Sequence, residues 1–245
     1  GADGVGGADG VGGADGLALL AGLPTIVHFE LDPITSFAVN AAEEYQKCLD
    51  SRVATGVPTH RPRASALLFG RFDRDEITIG GVEFVPDIRG TDETVIAEFE
   101  DTIAPRFGDA YRNLSRGFWS DEKAVLRAIM RQDEYGRELL GSVHSHPDWQ
   151  NIGPEHERRM RLGENPTQMD EYLFRQSCWP VNVIWYISGG DRGMTHQVAG
   201  WRPGPNGCER LELGLPSAIH ETFDMAVPTD ADSAASIRWN RSGLT

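Results

Sequence analysis

The spacing of apolar positions changes several times along the chain, and the changes mark its elements. Residues 25–31, Thr-Ile-Val-His-Phe-Glu-Leu, alternate in polarity and predict a strand. From Pro33 to about Asp50 the period lengthens to that of a helix. Ile34, Phe37, Ala38, Ala41, Tyr45, Cys48 and Leu49 form one apolar stripe for the core, with Asp32 as N-cap. Alternation returns in 66–72 and 77–86, which Asp73-Arg74-Asp75-Glu76 joins as a hairpin turn. In that register Glu83 lies roughly across from Ala66 and Asp87 near Arg63. Residues 87–137 are a long polar insertion, within which Ser120-Asp121-Glu122 starts a helix reaching about Tyr135. Phe118-Trp119 is either an aromatic anchor for a partner or a buried staple. A strand over 139–143 then runs into His144. A helical stretch broken at Gly163 and Pro166 follows from 154 to about 176. Strands over 181–188 and 197–202 complete the core, and 208–215 reads as one edge strand.

The flanks carry no such pattern. Residues 1–16 repeat Gly-Ala-Asp-Gly-Val-Gly, a tract with too few apolar groups to fold, and read as a flexible tail. The expected organisation is that tail, one globular unit over 17–202 with the insertion at 87–137, and a C-terminal extension over 203–245.

The candidate chemistry sits where the 139–143 strand ends. In His144-Ser145-His146-Pro147 the two imidazoles share a strand face because side chains alternate with period two, and Pro147 ends the ladder for want of an N–H. Two histidines on one face can grip one metal ion. Pro154-Glu155-His156-Glu157 reads as the first turn of a helix, so Glu157 is the expected third ligand, with His156 as its competitor. Two histidines, one carboxylate and a fourth position left to water make a hydrolytic zinc site. Trp149, just beyond, either walls a substrate groove or packs.

These residues resemble the JAMM (MPN+, JAB) zinc metalloproteases. Their signature is a glutamate before a strand bounded by glycines, then H-[S/T]-H-P, six residues, and S-x-x-D. Here 144–147 match fully and the spacing to Pro154 is kept. Proline replaces the serine, and Glu157 replaces the aspartate. Residues 66–71 are similar to the glycine-bounded strand. The resemblance spans about 17–202. It implies an α/β fold of three layers, JAMM/MPN-like and cytidine-deaminase-like, with a central mixed β-sheet flanked by helices. It implies one Zn²⁺, and amide (peptide or isopeptide) hydrolysis at the tail of a ubiquitin-like or sulfur-carrier protein. One departure bears on mechanism. Arg63 stands where the family has its glutamate, the general base, and a guanidinium stays protonated at any working pH. Glu30, Glu83 and Asp87 are the substitute candidates, each also readable as a strand-end carboxylate in a salt bridge. Two other readings follow: a metal-binding but inactive MPN-type scaffold, or a metal-dependent hydrolase of a small molecule whose pocket the insertion shapes.

Composition narrows the partners. With 23 Lys+Arg against 37 Asp+Glu the net charge is −14, which argues against nucleic acid or an anionic membrane. Arg158-Arg159-Met160-Arg161 is the one dense basic cluster, a solvated helix face or a contact for an acidic substrate. No apolar run approaches the roughly twenty residues of a membrane span. Cys48, Cys178 and Cys208 are an odd, scattered set that suits reduced thiols. The expectation is therefore a cytoplasmic protein.

Overall fold

The computed structural model describes residues 14–55, 63–114, 116–148, 166–190 and 193–219. After a short helix α1 (Ala14–Leu20) come β1 (Ile26–Phe29), α2 (Leu31–Thr55) and the hairpin β2 (Ser65–Phe72) and β3 (Glu76–Glu83). The insertion holds α3 (Glu93–Glu98), a π-helical turn (Phe99–Ile103), α4 (Ala104–Phe107), a 3-10 turn (Asp109–Arg112) and α5 (Glu122–Asp133). Then follow β4 (Glu138–Pro147), α6 (Gln168–Ser177), β5 (Val181–Gly190), β6 (Gly193–Gly204) and β7 (Gly207–Gly214).

The expected helix-flanked, three-layer α/β sheet does not form. The strands close into a seven-stranded mixed β-barrel in the order β1-β3-β2-β4-β5-β6-β7. Closure depends on the four-residue β1, both of whose edges are used: Ile26 stands opposite Glu76 of β3 and Glu212 of β7, parallel in each case. The segment expected as an edge strand, β7, therefore lies inside the closed sheet, antiparallel to β6 on its other side. Closing the sheet leaves no row of unpaired backbone groups at an edge.

The helical stripe of α2 packs as its period predicts. Ile34, Phe37, Ala38, Ala41, Tyr45 and Cys48 are buried in one core to which all seven strands contribute. Each large side chain so buried stabilises the fold by about 1.5–3 kcal/mol. The helix starts at Leu31, ahead of Pro33, so Asp32 falls in its first turn instead of capping it. Proline is tolerated there because first-turn N–H groups have no helical acceptor.

The hairpin register shifts once. Phe72↔Ile77 to Gly70↔Ile79 keep the spacing the turn sets, but beyond a bulge at Phe69/Gly70 the pairs become Phe69↔Gly81 and Leu67↔Glu83. Glu83 thus lies across from Leu67, not Ala66. One extra residue on one strand makes this slip, and nothing in strand periodicity announces it.

The insertion is structured throughout its described length. Its part ahead of α5 is closed by an Asp87↔Ser120 bridge, with Ile88 N–H donating to the Trp119 carbonyl at 2.8 Å. Asp121 caps α5, its Oδ1 accepting from Ala124 N at 2.6 Å. A second core of Val95, Phe99, Ile103 and Met169, with Trp119 packed against it, ties the insertion to α6. Among the described residues no helix is long and apolar enough to cross a membrane.

Candidate metal centre

The β2–β4 ladder sets the position of the histidines. Ser65 pairs with His144, and Ser145 N–H donates to the Ala64 carbonyl at 2.9 Å. Leu140 and Val143 face the main core, while Ser142, His144 and His146 face the other side. On that side α6 lies across the strand ends, its Phe174 packing on the His144 ring at 6.2 Å.

The start of α6 supplies a third group. Thr167 is the N-cap and forms a reciprocal capping box with Asp170: its hydroxyl accepts from Asp170 N–H at 3.2 Å, and Asp170 Oδ2 accepts from Thr167 N–H at 2.7 Å. The Thr167 hydroxyl also donates to Oδ2 at 2.7 Å. So fixed, the carboxylate meets both imidazoles. His144 Nε2 is 3.2 Å from Oδ1, His146 Nε2 is 3.4 Å from Oδ2, and the two Nε2 atoms are 3.0 Å apart.

These separations suit a cation. Tetrahedral bonds of about 2.0–2.1 Å put neighbouring ligand atoms roughly 3.3 Å apart, and the three edges are 3.0, 3.2 and 3.4 Å. Two Nε2 atoms facing each other can share at most one proton without repulsion, whereas two lone pairs aimed at one point are satisfied by a metal. Nδ1 of both rings is buried and has no hydrogen-bond partner among the described residues, so the polar contacts of both imidazoles go to the cluster. His144 and Asp170 are 6% and 7% exposed. The group can hold a metal ion.

Electrostatics inside the cluster follow from burial and proximity. Desolvation pushes the His144 imidazole below its ordinary pKa, and the Asp170 carboxylate offsets only part of that. Burial raises the Asp170 carboxyl, but the charge of His146 and hydrogen bonds from both imidazoles outweigh it and hold the group well below the usual carboxylate range. Burial thus favours the neutral imidazole at His144, and the neighbouring imidazoles favour the ionised carboxyl at Asp170.

Beside it lies a pocket of about 290 Å³. Strands β2 and β4 contribute Ser65 and Ser145, the segment just ahead of β2 contributes Arg63, and the insertion contributes Phe107, Tyr111, Arg116 and Phe118. Phe118 stands over the His144 ring at 5.4 Å, and Trp119, partly buried, packs edge-on to Phe99 at 6.0 Å. The Tyr111 phenol is pushed up by burial and by the nearby Asp170 charge.

The sequence-predicted residues divide. His144 and His146 come together. Glu157, its competitor His156, and Trp149 lie outside the described residues. None of the three proton-acceptor candidates lines the pocket. Glu30 is 3.6 Å from Arg137, and Glu83 accepts from Arg131 at 2.8 Å and Gln132 at 2.7 Å. Asp87 lies against Arg63 at 2.9 Å and also accepts from the N–H groups of Arg89 and Trp119. Asp170 was not expected in the site. Its signal was legible, since Thr-x-x-Asp before the apolar run of Tyr172, Leu173 and Phe174 is a capping box.

No known protein family matches this sequence, and no curated protein matches it. Among solved structures, the solution structure of protein DSY2949 from Desulfitobacterium hafniense is similar at 17% identity and a TM-score of 0.39. That match covers 78% of this chain and 92% of the other.

Proposed function

We propose that this protein is a zinc-dependent amide hydrolase of the JAMM type, with His144, His146 and Asp170 as the metal ligands. The observation that carries the reading is the convergence of two imidazole Nε2 atoms and one carboxylate at 3.0–3.4 Å on a strand-end H-x-H-P. Thr167-Gln168-Met169-Asp170 fits the family's S-x-x-D with threonine for serine, 148–166 being a longer connection than the family's six residues. What zinc supplies when bound is Lewis acidity, which lowers the pKa of a coordinated water towards about 7 and polarises a carbonyl. The chain's own residues do the rest. Asp170, fixed by Thr167, orients both imidazoles. Phe118 and Phe174 shield the His144 ring from water. The pocket walls hold the substrate beside them.

The insertion residues that wall the pocket favour a slender substrate, the tail of a ubiquitin-like or sulfur-carrier protein or a small amide, over a broad protein surface. A metal-binding but inactive module is the second reading, and one observation favours it: the family's glutamate position is a cation here, with Asp87 as its counterion. Elemental analysis of the purified chain should find one zinc per molecule, and none in His144→Ala. Zinc-dependent cleavage of a panel of ubiquitin-like fusions and short peptides then supports the hydrolase. One bound zinc with no cleavage across the panel supports the inactive module. No metal in either protein overturns both.

A further inference from the structure

We propose that the pocket recognises a carboxylate on its substrate, next to the scissile amide, through Arg63 and Arg116. The assignment rests on the hydrolase reading above and names its substrate class.

Arg63 is placed and held for this. Ser65 pairs with His144 and Ala64 exchanges hydrogen bonds with Ser145, so Arg63, two residues ahead of β2, falls beside His146 and lines the pocket with it. Its Nη1 is anchored from behind by Asp87 at 2.9 Å and by the Gly117 carbonyl at 3.1 Å. Nε and Nη2 make no hydrogen bond among the described residues, which leaves one edge of the planar fork for a ligand. Arg116 lines the same pocket from the insertion, 6.0 Å from the Tyr111 ring.

The charge of this corner opposes that of the chain. The molecule carries −14, yet the charged side chains lining the pocket among the described residues are Arg63, Arg116 and the cluster's own Asp170. Behind the wall Arg89 is wholly buried. Its Nη2 donates to the Tyr111 carbonyl at 2.8 Å, its Nε and Nη1 have no hydrogen-bond partner among the described residues, and its face rests on the Phe99 ring at 3.7 Å. Asp87 is the carboxylate that faces Arg63 and Arg89 together, and Glu100 acts on Arg89 more weakly. A basic corner in an acidic protein draws an anion towards it. Guanidinium edges match a carboxylate's two oxygens in plane. The aromatic walls and the volume of about 290 Å³ suit the end of a short chain, where a carboxylate lies within reach of an amide.

The zinc-loaded full chain, titrated calorimetrically with succinic acid monohydroxamate and with its methyl ester, tests this. Both ligands offer the same metal-binding group and differ in one negative charge. The acid should bind roughly tenfold tighter or more, the size of a charge-assisted hydrogen bond. Arg63→Gln and Arg116→Gln should each remove most of that advantage and leave the ester's affinity as in the unaltered protein. Equal binding of acid and ester, equal losses for both in the variants, or tighter binding of the matching phosphonate overturns the carboxylate assignment alone. Failure of either ligand to bind in a zinc-dependent way overturns it together with the hydrolase reading. Should Arg63→Gln fail to fold, Arg116→Gln and the ligand pair on the unaltered chain decide.

Discussion

Thr167 holds Asp170 for His144. The threonine N–H and hydroxyl each donate to Asp170 Oδ2 at 2.7 Å, which leaves Oδ1 at 3.2 Å from the imidazole. A capping box that starts a helix thereby orients a carboxylate of the cluster that can hold a metal ion.

Asp170→Asn should abolish tight zinc binding, because a neutral amide replaces the carboxylate of the cluster. Thr167→Ala should keep the ligands and loosen their orientation, lowering zinc affinity by about 10–100-fold. Competition with a chromophoric chelator measures both. Unchanged affinity in Asp170→Asn would remove this residue from the ligand set.

Zinc should stabilise the fold by mass action, since the cluster is assembled only in the native state. At a free concentration near a hundred times Kd the gain is about 2.7 kcal/mol. Thermal unfolding with and without a chelator reads it. The shift should vanish in His146→Ala.

Glu83 predicts a pH dependence away from the site. Burial raises its carboxyl, but hydrogen bonds from Arg131 and Gln132 and the Arg131 charge outweigh that, so its folded pKa is depressed. A depressed carboxylate contributes stability that is full above the unfolded value of about 4.3 and is lost as pH falls through the folded pKa. Urea midpoints of the unaltered protein and Glu83→Gln should therefore differ at pH 6 and converge towards pH 3. Zinc-dependent cleavage should survive Glu83→Gln and Glu30→Gln, whose carboxylates lie away from the pocket. Loss of cleavage in either would return that residue to the mechanism.

Gly141 sets the path of β4 into the histidines. A Cβ there would collide with the Val181 carbonyl of β5, a backbone atom that cannot step aside. Gly141→Ala should cost at least about 2 kcal/mol of stability and displace His144, so zinc affinity should fall too. Denaturant unfolding and metal titration check the two effects separately. A variant as stable as the original would contradict the close β4–β5 approach.

Local pattern made some parts of this molecule legible before the fold. The stripe on α2 was readable because 3.6-residue periodicity survives wherever a helix meets a core, and six of the seven buried residues of α2 belong to it, Ala42 being the exception. The shared face of His144 and His146 followed from period two alone. The register of Glu83 did not, because a bulge adds one residue with no compositional mark. The carboxylate's place beside the histidines was not legible: Glu157, expected at the family's spacing, lies outside the described residues, whereas Asp170 reaches the imidazoles from the first turn of α6, a long-range placement.

Local pattern was enough for most segments, for the core face of α2 and for a strand-end pair of imidazoles, all of which depend on neighbours a few residues away. Long-range contacts alone set β1 between β3 and β7 to close the sheet, brought Asp170 to the histidines and put the insertion around a pocket beside them. Those outcomes depend on contacts between residues far apart in the chain, whose geometry no local period encodes.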